Sequence, residues 1–209
     1  MLFAIRFVLV VDNITYRILN ILLRKKFGKH PKHRLIRYPE WFCERVSRND
    51  VVMDVGCGDG VVTEMIAPNV REVVAVDLMP KYSPSDSSKN VTFLVADATK
   101  LDKCITKKVT VVVLSNVLEH IEDRVGFLKS LVAFQSLKHV LIRVPDFNRS
   151  WLVGIKKSLG VEWRSDPTHF IEHTKEELVE EIEAAGLIIR HYEQRFGEHY
   201  VVAIKQSKN

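Results

Sequence analysis

The apolar positions of this chain follow two different periods from residue 38 onward. Short runs rich in β-branched residues alternate with stretches in which apolar residues recur at helical spacing. The first pattern is typical of buried strands and the second of helices that cover a sheet, so the alternation predicts an α/β fold with a mostly parallel sheet. The predicted strands are residues 51–55, 72–77, 91–97, 109–116, 138–144, 187–194 and 200–205.

Helices are predicted between these strands. Pro39 suits the first turn of one helix, and Thr174 with Glu177 forms the sequence of a capping box at the start of another. Gly186 is a typical residue just past a helix end. The predicted helices cover residues 40–47, 61–67, 127–132 and 174–185.

Residues 145–170 show no sustained period. Segments of this length in a compact domain are usually binding segments or lids. This one contains Phe147, Trp151 and Trp163 together with several basic residues. A substrate lid above the carboxyl ends of the strands is one interpretation, and an ordinary insertion held by its tryptophans is the other.

The first 23 residues are strongly apolar but carry charges. Arg6, Asp12 and Arg17 would each cost roughly 2.5–3.5 kcal/mol near a bilayer centre, which disfavours a membrane-spanning helix. A signal peptide is also disfavoured, because no basic segment precedes the apolar run and no small-residue cleavage site follows it. As a helix, the stretch has one polar stripe formed by Arg6, Asn13, Arg17, Asn20 and Arg24. The wide apolar face either packs on the domain or on a second copy, as in a homodimer, or lies in a membrane interface.

Charge divides the chain into an arm and a body. Residues 1–48 hold 11 Lys and Arg against 3 Asp and Glu, a net charge of +8, whereas the remaining 161 residues hold 20 against 23, a net charge of −3. We therefore predict an N-terminal helical arm over residues 1–37 and one domain over residues 38–209. Seven basic residues between 24 and 37 indicate either a solvated linker or a patch for a phosphorylated or lipid-linked substrate. RNA would also be attracted, but aromatic residues that could stack on bases do not interleave with the charges.

Cysteines are few and scattered. Cys43, Cys57 and Cys104 show no paired spacing, which argues against disulfides and zinc and for a reducing compartment. We therefore predict a cytoplasmic protein, with peripheral contact to the inner face of a membrane if the arm binds lipid.

The first predicted strand ends in three alternate glycines, Gly56, Gly58 and Gly60, followed by a helix. Without Cβ atoms the chain can turn tightly and lie against a ligand, and the helix directs backbone N–H groups to the same place. A dinucleotide loop would need glycine at position 61, where Val61 stands, and no Gly-Lys-Ser/Thr follows for a triphosphate. Asp54, just before the loop, suits a cationic ligand instead.

Two further acids stand where strands end. Asp77 lies 17 residues beyond Gly60 and Asp97 ends the third strand. The loop, these acids and the segment Asn116-Val-Leu-Glu-His-Ile resemble the motifs of class I S-adenosylmethionine-dependent methyltransferases. The resemblance covers residues 38–205 and implies a Rossmann-like, doubly wound sheet of seven strands that ends in an antiparallel pair. It implies S-adenosylmethionine as cofactor, bound by Asp54, Gly56, Cys57, Gly58, Asp77, Leu78, Asp97, Ala98, Ser115 and Asn116.

Methyl transfer to a hydroxyl requires a base, and histidine is the usual one near neutral pH. His120 follows the fourth strand and His169 lies at the end of the predicted lid, so both are candidate catalytic residues. Each could equally be a structural histidine.

A second resemblance concerns metal. The pattern Glu-x-x-Glu-His with a later His-x-x-x-x-Thr resembles the divalent-metal site of ubiquinone-pathway O-methyltransferases and small-RNA 2′-O-methyltransferases. Here the matching residues are Asn116, Glu119, His120, His169 and Thr174. Asn116 replaces the first carboxylate of that pattern, which weakens any site for a hard cation. We therefore predict that no residue binds a metal, and metal dependence is the minority hypothesis.

Three functions are compatible with the sequence. The leading one is methyl transfer to a hydroxyl of a small molecule, such as a glycan or a lipid-linked precursor. The second is an RNA methyltransferase that uses the basic arm. The third is a non-catalytic scaffold that keeps the fold and oligomerises through residues 1–23.

Overall fold

The computed structural model describes residues 1–28, 31, 35–85, 88–100 and 108–206. Cys104, the central part of the basic segment and residues 86–87 lie outside the described residues. The strands are β1 (Val51–Val55), β2 (Glu72–Asp77), β3 (Val91–Val95), β4 (Val111–Ser115), β5 (His139–Pro145), β6 (Leu187–Arg195) and β7 (Glu198–Lys205). The helices are α1 (Leu2–Phe27), α2 (Tyr38–Cys43), α3 (Val61–Ile66), α4 (Arg124–Val132), α5 (Trp151–Ser158) and α6 (Lys175–Ala184).

The seven strands form one sheet in the order β3-β2-β1-β4-β5-β7-β6. β1 pairs in parallel with β2 on one side and with β4 on the other, so the strand order reverses between β1 and β4. β7 runs antiparallel to both β5 and β6. The predicted doubly wound sheet with an antiparallel end is confirmed, and a crevice is expected at the carboxyl ends of β1 and β4.

Both faces of the sheet are covered. Along β1, Val51 and Met53 belong to the core that also contains Leu128 of α4 and Leu178 of α6. Val52 belongs to the opposite core, which includes Trp41 of α2. Because successive strand residues point to opposite faces, an unbroken apolar run is what a strand buried on both sides requires.

Several predicted boundaries are wrong. The helix expected over residues 40–47 is α2 and ends at Cys43, and the fourth strand is shorter than expected, beginning at Val111. Within residues 145–170, where no regular element was predicted, Ser150 caps α5 through its side chain, which accepts a hydrogen bond from the N–H of Leu152. A helix of eight residues is too short to display a clear apolar period in the sequence.

Helix α1 is the long amphipathic helix that the N-terminal pattern predicts, but its apolar face is not buried on the domain. Leu9 is its one buried residue. The amide of Asn13, from the polar stripe, donates to the carbonyl of Glu162 at 2.8 Å, and Lys156 of α5 lies 2.6 Å from the Asp12 carboxylate. Among the described residues, no helix is long and apolar enough to cross a membrane.

Candidate active site

The glycine loop after β1 is held against the end of β2. The N–H groups of Gly56 and Cys57 donate to the carbonyl of Val76 at 2.7 and 3.2 Å, and the N–H of Gly58 donates to the carboxylate of Asp77 at 2.9 Å. Gly56, Gly58 and Gly60 all have positive φ angles. A Cβ on Gly56 would also come within 2.6 Å of the Val117 side chain, so the loop requires glycine for both conformation and space.

Asp54 lies beneath the loop and is fully buried. Its carboxyl accepts a hydrogen bond from the Thr63 hydroxyl at 2.5 Å. Burial raises the pKa of Asp54 to about 7, against the opposing effect of that hydrogen bond. At neutral pH the negative charge expected from this residue is therefore only partly present, and Asp77 and Asp59 are further acids beside the loop.

Asp77 at the end of β2 and Asp97 after β3 both accept hydrogen bonds. Asp77 accepts from the N–H groups of Gly58 and Met79, each at 2.9 Å. Asp97 accepts from the hydroxyl and the N–H of Thr99, and these bonds lower the pKa of Asp97 to about 2. Both carboxylates are thus oriented at the carboxyl edge of the sheet, where their remaining lone pairs can accept further hydrogen bonds.

Two adjoining cavities lie along this edge, one of about 940 Å³ and one of about 210 Å³. All ten residues predicted to bind the cofactor line one or both. Asp54, Cys57, Gly58 and Ser115 line the smaller cavity, Asp77, Leu78, Asp97 and Ala98 line the larger one, and Gly56 and Asn116 line both. That these residues bind a cofactor stays a prediction, but the fold does bring them together.

The two candidate catalytic histidines, far apart in sequence, lie side by side. The rings of His120 and His169 are 4.5 Å apart between centroids and nearly perpendicular. His120 lines the larger cavity and follows β4 in a short turn over Leu118–His120. His169 is buried. Burial, with a contribution from His169, lowers the pKa of His120, which favours its neutral form.

A carboxylate completes this group. Glu119 is fully buried, and neither of its carboxylate oxygens has a hydrogen-bond partner among the described residues. Burial raises the pKa of Glu119 to about 8. Its Oε1 is 3.9 Å from Nε2 of His169, and ligand atoms of Glu119, His120 and His169 all lie within 4.8 Å of one another. An unsatisfied buried carboxylate beside two imidazoles fits a bound cation.

The metal-type motif is only partly assembled. The side-chain oxygen of Asn116 is buried without a hydrogen-bond partner among the described residues, and its backbone has a positive φ of 58°. Thr174 forms the predicted capping box of α6, in which its side chain accepts a hydrogen bond from the N–H of Glu177.

Glu172 is a site residue that the sequence analysis missed. Its carboxylate is 3.2 Å from Nδ1 of His169 and also binds Arg149 and the backbone of Ser165. Burial alone would raise the pKa of Glu172, but the hydrogen bonds from His169 and Ser165 outweigh it and lower the pKa. The carboxylate fixes the ring of His169 so that Nε2 faces Glu119. The spacing His-x-x-Glu was the only sequence signal for this contact.

Arg143 on β5 was also missed. Its guanidinium forms two hydrogen bonds of 2.6 Å with Glu198, a third of 3.1 Å with the hydroxyl of Ser115, and lies 3.9 Å from the ring centre of Tyr38. Both Tyr38 and Arg143 line the smaller cavity. This buried ion pair holds the ends of β4, β5 and β7 together at the edge where the cavity opens.

Comparison with known proteins gives one family. Residues 26–192 match the family model described as a methyltransferase domain. The ribosomal RNA small subunit methyltransferase A of Lachnoclostridium phytofermentans is 31% identical over 103 residues, which are 42% of this chain and 34% of that protein. A probable cobalt-precorrin-6B C(15)-methyltransferase of Archaeoglobus fulgidus is 56% identical over 34 residues, 16% of this chain and 21% of that protein. The match therefore spans about a third of the first relative and about a fifth of the second.

Solved structures share the fold at low identity. The small RNA methyltransferase HEN1 superposes with a TM-score of 0.64 at 14% identity, covering 82% of this chain and 25% of that one. The magnesium protoporphyrin IX methyltransferase of Synechocystis, with SAH bound, gives a TM-score of 0.60 at 16% identity and covers 81% of each chain.

Proposed function

Because this chain belongs to the methyltransferase domain family, we propose that it transfers the methyl group of S-adenosylmethionine to a hydroxyl group of a small-molecule acceptor. The observation that carries the proposal is the position of His120. It lines the same cavity as Asp77, Asp97 and Asn116, the residues proposed to bind the cofactor. A base is thus available next to the site proposed for the methyl donor.

The cofactor would lie along the carboxyl edge of the sheet. The loop Gly56–Gly58 would carry the methionine part, Asp77 and Leu78 would contact the ribose, and Asp97 with Ala98 would lie at the adenine. The sulfonium is an activated leaving group, so the protein has mainly to align acceptor and methyl group. Asn116 lines both cavities, and its side-chain oxygen has no hydrogen-bond partner among the described residues. This supports a polar contact between Asn116 and the cofactor where the two cavities meet.

The hydrogen bonds of His120 favour a role as base. The Thr168 hydroxyl lies 2.7 Å from Asp166, to which it donates its one hydrogen, and 3.1 Å from Nδ1 of His120. The hydroxyl must then accept a hydrogen bond from Nδ1, which leaves the lone pair on Nε2. A neutral imidazole with a free Nε2 can take the proton of an acceptor hydroxyl as the methyl group is transferred.

The cluster around Glu119 supports a second mechanism for the same reaction. Glu119, His120 and His169 would hold a divalent cation, which would polarise the acceptor hydroxyl as a Lewis acid. Two imidazoles and one carboxylate suit cobalt, zinc or iron better than magnesium, which prefers oxygen ligands. Here Glu119 supplies the negative charge, and His169 is held in place by Glu172.

The function is tested by a screen of acceptor pools with methyl-labelled S-adenosylmethionine. We expect Asp77→Ala to lose cofactor binding in calorimetry, and His120→Ala to keep cofactor binding while methyl transfer falls by about 10²–10⁴-fold. His191→Ala is the matched control, because His191 lies on β6, pairs with Glu193 and lines neither cavity. Full activity after treatment with a chelator would exclude the metal mechanism and leave His120 as base. Absence of cofactor binding by the wild type would exclude the proposed function.

A second candidate acceptor is RNA. The identity to a ribosomal RNA methyltransferase and the basic arm favour it. In this case binding of RNA should weaken steeply with salt, and truncation of the basic segment should weaken binding to all sequences alike. Methyl transfer that is indifferent to added RNA would exclude this candidate.

A further inference from the structure

We propose that α1 docks the protein on the surface of an anionic lipid bilayer, with its outward apolar face in the membrane interface. This interaction surface is separate from the methyl-transfer chemistry and does not depend on it. The helix crosses no membrane in this arrangement but lies along one.

The side of α1 that faces the protein is small. It includes Leu9, the buried residue, and the half-buried Asn20 and Leu23. On the same side, Asp12 and Asn13 bind Lys156, and Asn13 also binds the carbonyl of Glu162. These contacts fix the rotation of the helix about its own axis. They direct part of the polar stripe toward the domain, the reverse of what an ordinary amphipathic helix of a globular protein does.

The opposite side of α1 is apolar and exposed. At 100° per residue, the positions farthest from Leu9 recur at spacings of three and four. They are Phe7, Val11, Ile14, Ile18 and Leu22, with exposures between 39% and 60%. Monomeric proteins seldom leave a continuous apolar stripe of this length in water, so the stripe requires a partner surface.

Charge identifies that partner as an anionic bilayer. The last turn of α1 holds Arg24, Lys25 and Lys26, and no acidic residue lies in its first turn. Lys25 lies three residues after Leu22 and therefore on the same side of the helix as the apolar stripe. A basic residue at this end of the stripe is expected where a helix meets lipid phosphates. A second copy would bring the same excess of positive charge, +8 over residues 1–48, to the interface.

The width of the exposed face supports the same choice. Residues on both flanks of the stripe, including Val8, Val10 and Ile21, are 44–65% exposed. A pair of helices buries a narrow seam, whereas a membrane interface accepts a broad apolar face. Trp151 begins α5, the helix that contacts α1 through Lys156, and is 77% exposed; tryptophan is enriched at membrane interfaces.

The test is flotation of the full chain with vesicles of phosphatidylcholine alone and with roughly 30% phosphatidylglycerol added. We expect binding to the anionic vesicles, weakened by high salt. Ile14→Glu places a charge on the stripe and should weaken binding by about tenfold or more. Ile188→Glu is the matched control. Ile188 is also an exposed isoleucine, but it lies on the edge strand β6 and not on α1, so the change should leave binding unchanged.

Three results would overturn the proposal. The first is the absence of vesicle binding by the wild type, and the second is equal binding by Ile14→Glu and Ile188→Glu. The third is a dimer in analytical ultracentrifugation that Ile14→Glu dissociates while vesicles are ignored, since the stripe would then be an interface between two copies. Both variants keep the cofactor site intact, so binding of S-adenosylmethionine shows whether they are folded. If the cofactor does not bind, circular dichroism is used for the same purpose.

Discussion

Asp54 couples the stability of the protein to pH. Its carboxyl is protonated in both the folded and the unfolded chain at low pH. Between its ordinary pKa of 3.8 and its folded pKa of about 7, the unfolded chain releases a proton that the folded chain keeps. The free energy of unfolding therefore falls as pH rises through this window, and the loss is complete above it.

We expect Asp54→Asn to remove this loss. The amide oxygen can still accept the hydrogen bond from Thr63. At pH 8 the variant should be more stable than the wild type by about 1–3 kcal/mol, and at pH 4 the two should be nearly equal. Denaturant unfolding at both pH values measures the difference. Asp59→Asn, the same change at an exposed position of the same loop, should show no such dependence; an equal gain there would refute the role of burial.

Glu172 acts through His169 and is expected to position it. Glu172→Gln removes the negative charge that faces Nδ1 of His169 and should lower the affinity for Co²⁺ by about 10–100-fold. Absorption spectra of the cobalt complex measure both affinity and ligand geometry. Glu40→Gln is the control, because Glu40 lies on α2 and pairs with Arg37. A wild type that binds no cobalt would contradict the proposed cation site itself.

At the scale of elements, the glycine loop offers a matched pair of substitutions. Gly58 and Gly60 both have positive φ angles, 58° and 79°. A Cβ on Gly58 meets no atom within 4 Å, whereas a Cβ on Gly60 would collide with the ring of Tyr82. Backbone strain alone, roughly 1–2 kcal/mol, is thus the cost at Gly58, and a steric cost is added at Gly60.

We expect Gly60→Ala to lose more stability than Gly58→Ala in chemical denaturation, and the combination of Gly60→Ala with Tyr82→Ala to lose less than the sum of the two. Gly58→Ala should instead weaken cofactor binding, since its new methyl group points into open space beside the smaller cavity. Equal destabilisation by both glycine variants would show that the Tyr82 contact is unimportant.

The elements differ in how much of them the sequence could predict. β1, β2 and the capping box of α6 were predicted because their signals are local: a run of β-branched residues, or Thr174 three positions before Glu177. α5 was not, because eight residues that include Gly154 carry too little periodicity. The local signal indicates that an element exists; its bounds also depend on packing with distant residues, as the late start of β4 at Val111 shows.

The same distinction applies to the site. The glycine loop and the acids Asp77 and Asp97 have fixed spacings, so a sequence can indicate them. The ion pair of Arg143 with Glu198 joins residues that are 55 positions apart, and no pattern along the chain relates them. The meeting of His120 with His169 was indicated only by resemblance, since it requires the segment after α5 to fold back over β4.

At the scale of the whole molecule, the chain combines an α/β sheet covered on both faces with a helix, α1, that is mostly exposed. The core clusters on both faces of the sheet contain no residue of α1. Removal of residues 1–28 would remove the burial of Leu9 and the partial burial of Asn20 and Leu23. It would also remove the polar links of Asp12 and Asn13 to Lys156 and Glu162. Burial of one leucine contributes about 1.5–3 kcal/mol at most, and an exposed ion pair about 0–1 kcal/mol.

We therefore expect a chain that begins at residue 29 to remain folded, with a loss of about 4 kcal/mol or less in the free energy of unfolding. Its affinity for S-adenosylmethionine should be unchanged, because no residue of α1 lines either cavity. Its solubility at low salt should increase, since fourteen positions from Leu2 to Phe27 that expose large apolar side chains are removed. Denaturant unfolding and calorimetry measure the first two quantities. If the shortened chain unfolds or no longer binds the cofactor, α1 is part of the catalytic domain, and its outward face must be interpreted as one side of a larger core that a second chain completes.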